Sequence, residues 1–421
     1  MFKDALLSRV RDKFHHADQC PYQGVRAFFE NAGGSLTLKS VVEVNSRLSS
    51  IPDNQGRDNP ASLEMVRLIN QGKADMLDFM GTQKGKVFVG ESGTEITFRL
   101  VRAAILGSGG PDNNGNTVIG STLEHPATVS ACKRWSKIAG MNYVEIPHNS
   151  DTGSVTAADY EKRVTPNTCV ATIIQTSPVT GVGVDVGAVA ETIRAVSPDC
   201  IIIVDGIQHA AHGAVHLDQY DIDGFVLSAY KVFSRHNYGV GWVSSRLAEL
   251  PHDHLDGTPA DFWELGTRDA SAYATFSEVV SYLEWLGSEF TDSDDRRDRL
   301  DAAGQAITAQ EANLVDLMIN GTEDQKGLRQ MSEVLVIGGY DNDDRAGLVS
   351  MAIEGVPSVN VVKTLNNAGV RTHLRKADYF SANILDPLGL DSCIRVSMCH
   401  YNSREEVLKF LGVVEGIVSG Q

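Results

Sequence analysis

Short apolar runs alternate with amphipathic stretches between about residues 84 and 245. The runs are KVFVG (86–90), NTVIGST (116–122), MNYVEIP (141–147), CVATIIQTS (169–177), CIIIVDG (200–206), DGFVLSAY (223–230) and VGWVSS (240–245). Stretches with helical spacing lie between them, for example 94–106, 126–139 and 186–195. Continuous apolar strands that alternate with helices are typical of a mostly parallel sheet covered on both faces. The pattern therefore predicts an α/β fold built on a doubly wound sheet.

The pattern changes after about residue 285. The segment 291–305 is highly charged and is predicted to be helical. Three further apolar runs predict strands of a second, smaller sheet, and two amphipathic stretches predict its helices: strands 333–339, 347–355 and 392–398, helices 359–369 and 404–417. We therefore predict an N-terminal helical segment over 1–20, a large domain over 21–285 and a smaller α+β domain over 286–421.

Composition and charge exclude several classes of partner. The chain has 421 residues and a formal net charge of −17. A general affinity for nucleic acid or for an anionic membrane surface needs clustered positive charge, which this balance opposes. No apolar run approaches the ~18 residues that span a bilayer. The charged N-terminus lacks the apolar segment of a signal peptide, so a cytoplasmic location is expected.

The cysteines are scattered along the chain and form no CxxC pair: Cys20, Cys132, Cys169, Cys200, Cys393 and Cys399. Such spacing favours neither a disulfide framework nor a zinc site. We therefore expect reduced thiols and no bound metal.

Polar residues follow several of the predicted strands. They are Ser92-Gly93-Thr94, Glu124-His125, Asp205 with Gln208, and Ser228 with Tyr230 and Lys231. Taken singly, each has an ordinary structural explanation, such as a helix cap, a loop histidine, a turn carboxylate or a solvated lysine. Because the carboxyl ends of parallel strands meet at one edge of a sheet, these groups are expected to face one crevice.

The order and spacing of these groups carry a family resemblance. The motifs are SGTE (92–95), EH (124–125), VDGIQ (204–208) and SAYK (228–231), preceded by FFENAGG (28–34) and followed by ELGTRD (264–269), GVRT (369–372) and IRVS (394–397). In this arrangement, which extends over nearly the whole chain, the sequence resembles the class V aminotransferase group of fold-type I pyridoxal 5′-phosphate (PLP) enzymes. That group includes cysteine desulfurases, kynureninase and isopenicillin N epimerase. The resemblance implies a seven-stranded, mostly parallel sheet in the large domain.

The resemblance also implies how the cofactor ring is held. Lys231 would form a Schiff base with PLP and later move the Cα proton of the substrate. Asp205 would pair with the pyridinium nitrogen, which keeps the ring an electron sink. His125 would stack on the ring, and Gln208 would bind its hydroxyl group.

The cofactor phosphate has its own set of expected contacts. Thr94 at a helix N-terminus, with Ser92 and Gly93 beside it, suits an anion, and Ser228 adds a donor. Thr267 matches the segment that reaches the phosphate of the neighbouring subunit. The resemblance therefore implies a homodimer with shared active sites.

Substrate contacts are implied for the later motifs. Arg395 is the first candidate to bind the carboxylate of an amino acid through two hydrogen bonds, and Arg371 is the second, a surface ion pair being the alternative for each. Asn31 and His236 are further candidates, although His236 also suits a solvated turn. Tyr230 could bind phosphate or donate a proton, or it could simply be a buried ring.

The sequence departs from cysteine desulfurases at three places. Their catalytic cysteine follows the RT of the VRT segment, whereas residues 371–383 here contain none. Pro178 stands where they have asparagine, so Gln208 would contact the ring hydroxyl alone or with Thr176 or Ser177. Tyr230 replaces their usual histidine.

These features predict a PLP-dependent enzyme that acts on an amino-acid substrate through an external aldimine. The hypothesis that fits best is a lyase that cleaves a β-substituent, such as the C–S bond of a cysteine conjugate. An aminotransferase or an amino-acid epimerase is the alternative, and a non-catalytic scaffold fits poorly with four retained cofactor contacts.

Overall fold

A computed structural model of the chain describes residues 1–108 and 115–420. The strands are β1 (Gln19–Cys20), β2 (Gly24–Val25), β3 (Ala27–Phe28), β4 (Lys86–Gly90), β5 (Thr117–Ser121), β6 (Asn142–Ile146), β7 (Thr168–Ile174), β8 (Ile201–Asp205), β9 (Gly224–Ser228), β10 (Gly239–Val243), β11 (Val334–Val336), β12 (Leu348–Ile353), β13 (Val370–Arg371), β14 (His373–Lys376) and β15 (Ser392–Ser397). The α-helices are α1 (Asp4–Arg11), α2 (Lys39–Ser49), α3 (Pro60–Met80), α4 (Gly93–Ser108), α5 (Pro126–Ala139), α6 (Ala157–Glu161), α7 (Val186–Val196), α8 (Ser245–Ala248), α9 (Ala270–Gly287), α10 (Arg296–Asn320), α11 (Ser358–Asn367), α12 (Ala382–Leu385) and α13 (Arg404–Val418).

The large sheet has seven strands in the order β4-β10-β9-β8-β7-β5-β6. Only β10 runs antiparallel to both of its neighbours, so the sheet is mainly parallel, as predicted. Every residue of β7, β8, β9 and β10 is buried. Helices must therefore cover both faces, which explains why these strands are continuous apolar runs rather than alternating ones.

The polar groups singled out in the sequence follow the carboxyl ends of these strands. Asp205 is the last residue of β8 and Ser228 the last of β9. Helix α4 begins shortly after β4, and His125 stands immediately before α5, after β5. The sheet topology thus brings residues far apart in sequence to one edge, where doubly wound folds bind ligands.

The second sheet has four strands in the antiparallel order β11-β12-β15-β14. Strand β14 was not predicted, because HLRK has no buried residue and no apolar pattern. On β15, Ile394 and Val396 pack in the core of this unit, and Arg395 points the other way. Since residues directly opposite share a face, Arg395 lies on the same face as His373, Cys393 and Arg375.

An N-terminal segment joins the two parts of the chain. Strand β3 pairs in parallel with β13, and Ala27 and Phe29 pack in the core of the C-terminal unit. Phe14, earlier in the chain, packs in the main core. The boundary near residue 285 remains a prediction, and residues 27–29 pack on the C-terminal side of it. Among the described residues, none of the helices is long and apolar enough to cross a membrane.

Candidate active site

One pocket lies at this edge of the sheet. It is lined by residues that come from five separated stretches of the chain: Thr94, His125, Ile174, Thr176, Pro178, Asp205, Ile207, Gln208, Ser228, Tyr230 and Lys231. Most of the residues that the sequence assigned to the cofactor are among them. The structure therefore brings together the groups that the spacing of the motifs predicted to meet.

Lys231 lies in a single turn of 3-10 helix that follows β9. Its Nζ donates a hydrogen bond to Oε1 of Gln208 at 3.2 Å. Burial, together with the positive charge of Arg395, lowers the pKa of Lys231 to about 7. A large fraction of the amine is therefore uncharged at neutral pH, which is the form that attacks an aldehyde.

Asp205 provides the negative charge of the pocket. Its carboxylate is 6% exposed, and Oδ1 accepts a hydrogen bond from the N–H of Ile207 at 3.0 Å. The pKa of Asp205 is raised, chiefly by burial, although that hydrogen bond and the charge of Lys231 oppose the shift. The carboxylate thus has cationic and N–H partners that favour its ionised form.

A second carboxyl group, Glu124, lies close enough to Asp205 for their charges to interact, and it was not assigned a role from the sequence. It is 1% exposed, and Oε1 accepts the N–H of Ile174 at 2.9 Å. Burial and the nearby charge of Asp205 raise its pKa to about 8. Glu124 is therefore mainly protonated at neutral pH, and a negative charge on Asp205 is one cause of this.

His125 caps α5 with its side chain. Its Nδ1 accepts a hydrogen bond from the N–H of Ala127 at 3.2 Å, so the proton of the neutral ring is on Nε2. Burial, with the positive charges of Lys231 and Arg375, lowers its pKa to about 4. The side chain lines the pocket, and a neutral imidazole fixed in this way suits stacking on an aromatic cofactor.

The start of α4 forms a cradle that only glycine fits. A Cβ at Gly93 would lie 2.4 Å from Oγ of Ser228 and 2.7 Å from Cδ1 of Ile207. Ser92 uses its hydroxyl to accept the N–H of Glu95 at 3.1 Å, so its side chain caps the helix. Thr94 remains exposed to the pocket at a helix N-terminus, beside the Ser228 hydroxyl. The cradle and these donors fit a phosphate group.

The two arginines proposed for the substrate differ in their surroundings. Arg395 is 3% exposed and donates to the carbonyl oxygen of Pro178 at 3.0 Å, which places its guanidinium at the pocket wall. Burial lowers its pKa to about 9, so it stays positively charged at neutral pH. Arg371 forms an ion pair with Glu30 at 2.6 Å. The structure thus shows the surface ion pair that was the alternative to a substrate contact.

Arg375 is a cation of this wall that sequence reasoning missed. Its Nε is buried without a hydrogen-bond partner in the described part of the chain. It shares a sheet face with Arg395, and its guanidinium lies 5.9 Å from the ring centroid of Phe380. The register of β14 against β15 shows that the side chain of Arg375 lies on the face of Arg395. The sequence of this segment carries no motif that would have predicted it.

The remaining predicted residues lie in three different settings. The rings of Tyr230 and His236 stack with centroids 4.5 Å apart, and burial raises the pKa of Tyr230. Asn31 uses both ends of its amide within the protein: Nδ2 donates to the carbonyl of Ser397 at 2.8 Å, and Oδ1 accepts from Tyr401. A substrate contact by Asn31 would have to compete with these bonds. Thr267 is exposed and lines no part of this pocket.

The lysine, the buried carboxylate, the neutral histidine and the anion cradle are the set of groups that a PLP enzyme needs. Comparisons with known proteins agree with this assignment. A family model described as aminotransferase class-V matches residues 27–292 and 305–410. The chain therefore belongs to the class V aminotransferase family, and it is a PLP-dependent enzyme that acts on amino acids.

Several relatives are named as cysteine desulfurases or as cysteine desulfurase-like proteins. The cysteine desulfurase-like protein ustD of Aspergillus flavus is 26% identical over 94% of this chain and 88% of its own length. A probable cysteine desulfurase of Pseudomonas putida is 26% identical over 72% of this chain and 71% of its own length. The solved structure of the cysteine desulfurase CsdA of Escherichia coli has a TM-score of 0.77 at 19% identity and covers 100% of this chain and 99% of its own. The structural likeness shows the shared fold.

Proposed function

We propose that the protein is a lyase that removes a β-substituent from an amino acid, such as the thiol of a cysteine conjugate. The observation that carries the proposal is the composition of the segment beside the pocket. Residues 371–383 contain no cysteine, and Phe380 lies there instead, with its ring centroid 6.1 Å from that of His125. Sulfur would therefore leave as part of a free thiol rather than being stored on the enzyme.

The other cysteines of the C-terminal unit also do not suit the role of a sulfur acceptor. Cys393 and Cys399 are 0% and 1% exposed. Burial raises the pKa of Cys393 to about 11 and that of Cys399 well above its usual value. Because the thiolate is the nucleophile in sulfur transfer, neither group suits that role at neutral pH.

Bound PLP supplies an electron sink conjugated to the Cα atom of the substrate. In the proposed reaction Arg395 binds the α-carboxylate and orients the Cα–H bond toward Lys231, whose amine removes the proton. The electron pair left at Cα expels the β-substituent as a thiolate, and the Cβ–S bond breaks. With one water molecule the remainder becomes pyruvate and ammonium. Asp205 would hold the ring nitrogen protonated, and Thr267 of a second copy would complete each phosphate site in a homodimer.

A panel of cysteine S-conjugates tests the reaction directly. We expect equal amounts of thiol, pyruvate and ammonia to be released by the PLP-loaded protein. A broad panel without release would rule the lyase out. Accumulation of a pyridoxamine form that reverts with a keto acid would point to an aminotransferase. Deuterium entering Cα from the solvent without loss of the amino acid would point to an epimerase.

Arg375 supports a preference among such substrates. Arg395 is assigned to the α-carboxylate, and Arg375 adds a positive charge at the same wall. We expect S-carboxymethylcysteine to be cleaved about tenfold more efficiently than S-carbamoylmethylcysteine, since a charge-assisted hydrogen bond contributes ~1.5–3 kcal/mol. The measurement is kcat/KM for the two conjugates, which differ only in the carboxylate.

The Arg375→Gln variant should lose this preference and keep the rate on the carbamoyl conjugate, whereas Arg375→Lys should retain part of it. An unchanged ratio in Arg375→Gln would show that the side chain of Arg375 does not contact the substrate. That result would leave the lyase proposal intact, because it concerns the choice of substrate only.

A further inference from the structure

A chain of hydrogen bonds leads from the pocket into the protein interior. Nζ of Lys231 donates to Oε1 of Gln208 at 3.2 Å, Nε2 of Gln208 contacts Nε2 of His212 at 2.9 Å, and Nδ1 of His212 contacts Oε2 of Glu311 at 2.7 Å. Gln208, His212 and Glu311 are 4%, 5% and 1% exposed. Water is thus excluded from the links beyond the pocket.

The chemistry of each group fixes the direction of the bonds. Oε2 of Glu311 is an acceptor, because it also accepts a backbone N–H, so Nδ1 of His212 must donate to it and Nε2 of the neutral ring must accept from the Gln208 amide. The ring proton of His212 is therefore on Nδ1, from which it is donated to Glu311. Oε2 of Glu311 also accepts the N–H of Gly347 at 3.2 Å, which holds the carboxylate in place. The pKa of Glu311 is raised by burial, and the contact with His212 opposes that shift.

This order of donors and acceptors settles the orientation of the Gln208 amide. An amide can be rotated by half a turn with little change in shape, which would exchange its oxygen and its nitrogen. An acceptor at His212 keeps the nitrogen on the interior side and the oxygen facing Lys231. The second N–H of the amide is then left for a group in the pocket.

We propose that His212 and Glu311 are positioning residues that hold the Gln208 amide in the orientation required by Lys231 and by the ring hydroxyl of PLP. The inference rests on the assignment of Lys231 and Gln208 to the cofactor site and does not depend on which reaction follows. In this arrangement Oε1 stabilises a positive charge on the Lys231 nitrogen, and the free N–H stabilises a negative charge on the ring oxygen. Both contacts favour the protonated form of the lysine–cofactor linkage.

His212 and Glu311 also lie close to Sγ of Cys399, all three ligand atoms being within 4.8 Å of one another. A metal ion there would need a lone pair of His212, but both ring nitrogens are already in hydrogen bonds. Burial also keeps Cys399 in its thiol form. We call the hydrogen-bonded chain from Lys231 through Gln208 and His212 to Glu311 the relay. The relay explains the cluster better than a metal site does.

Other titratable groups surround both ends of the relay. Asp205, Arg395 and Arg375 act on Lys231, and His209, His400 and Cys399 lie around His212 and Glu311. None of them changes in the His212 and Glu311 variants below, and His400 changes only in the control. A shift in titration can therefore be assigned to the relay itself.

The test is a spectroscopic titration of the PLP-loaded protein, which needs no substrate. The absorption of the lysine–cofactor linkage is followed with pH, and the dissociation constant of PLP is measured by equilibrium dialysis. We expect His212→Leu to lower the midpoint of the transition by about one pH unit and to weaken PLP binding about tenfold, as loss of about one buried hydrogen bond would. His212→Gln, which can still accept from Gln208, should restore most of both values.

His400→Leu is the matched control. It also removes a buried imidazole, one that contacts Tyr282 rather than Gln208. We expect it to lower the melting temperature and to leave the midpoint and the PLP affinity unchanged. If His212→Leu cannot be purified as a folded protein, Glu311→Gln is measured instead. Its midpoint should shift in the same direction by a smaller amount.

Midpoints and affinities equal to those of the wild type in the His212 and Glu311 variants would overturn the relay and leave a purely structural role. The same would follow if His400→Leu shifted the midpoint as much as His212→Leu does. A wild-type protein without the absorption band would instead contradict the cofactor site, so the two failures are distinguishable.

Discussion

Replacement of Lys231 by alanine is expected to give a colourless protein and to lower turnover by at least about 10³-fold. The variant loses the amine that binds PLP covalently, and with it the base that moves the Cα proton, and each role alone contributes orders of magnitude. The wild type should be yellow, with the absorption near ~420 nm that a PLP Schiff base has. The measurements are this absorption and kcat/KM on the best conjugate.

Lys162→Ala is a suitable control, since Lys162 is an exposed lysine that pairs with Asp159 at the surface. It should keep both the colour and the activity. Equal colour in Lys231→Ala and in the wild type would contradict the assignment of Lys231. The cofactor-free protein offers an independent check. Because the pKa of Lys231 is lowered to about 7, its capture of added PLP should accelerate with rising pH and level off not far above 7.

The strands of the large sheet could be predicted from the sequence because burial on both faces makes them continuous apolar runs. The run KVFVG coincides with β4, and CIIIVDG contains β8 with Asp205 at its end. The position of the site at one edge of the sheet could also be predicted from the strands. Parallel strands deliver their carboxyl ends to one edge, so the motif residues after each strand had to converge.

What the sequence could not indicate depends on contacts between distant segments. The His212–Glu311 bond joins residues separated by 99 positions, and no local pattern marks a helix residue as its partner. Arg375 lies on a short strand whose side chains are all at least partly exposed. Asn31 was assigned to the substrate by its motif, yet the structure engages its amide with Ser397 and Tyr401, which belong to the far end of the chain.

Asp205→Asn is expected to keep the cofactor and to lose about 10²–10³-fold in turnover, the usual cost of removing one preorganised charge from an active site. The amide retains an oxygen that can accept the N–H of Ile207, so the local fold should be preserved. It carries no charge, however, and cannot hold the ring nitrogen protonated, which is the basis of the electron sink. The expected signature is a yellow protein whose Cα-proton exchange into deuterated solvent is slow.

Glu124→Gln is the control that separates charge from shape. The pKa of Glu124 is raised to about 8 by burial and by Asp205, so the native side chain is already neutral at pH 7. Glutamine copies that neutral form and keeps an oxygen for the N–H of Ile174, so activity at pH 7 should change by less than about threefold, within the ~0.5 kcal/mol of a near-neutral substitution. If Glu124→Gln were as slow as Asp205→Asn, the negative charge that holds the ring nitrogen would be shared between the two carboxyl groups. If only Asp205→Asn is slow, the single buried charge at the end of β8 sustains proton removal at Cα.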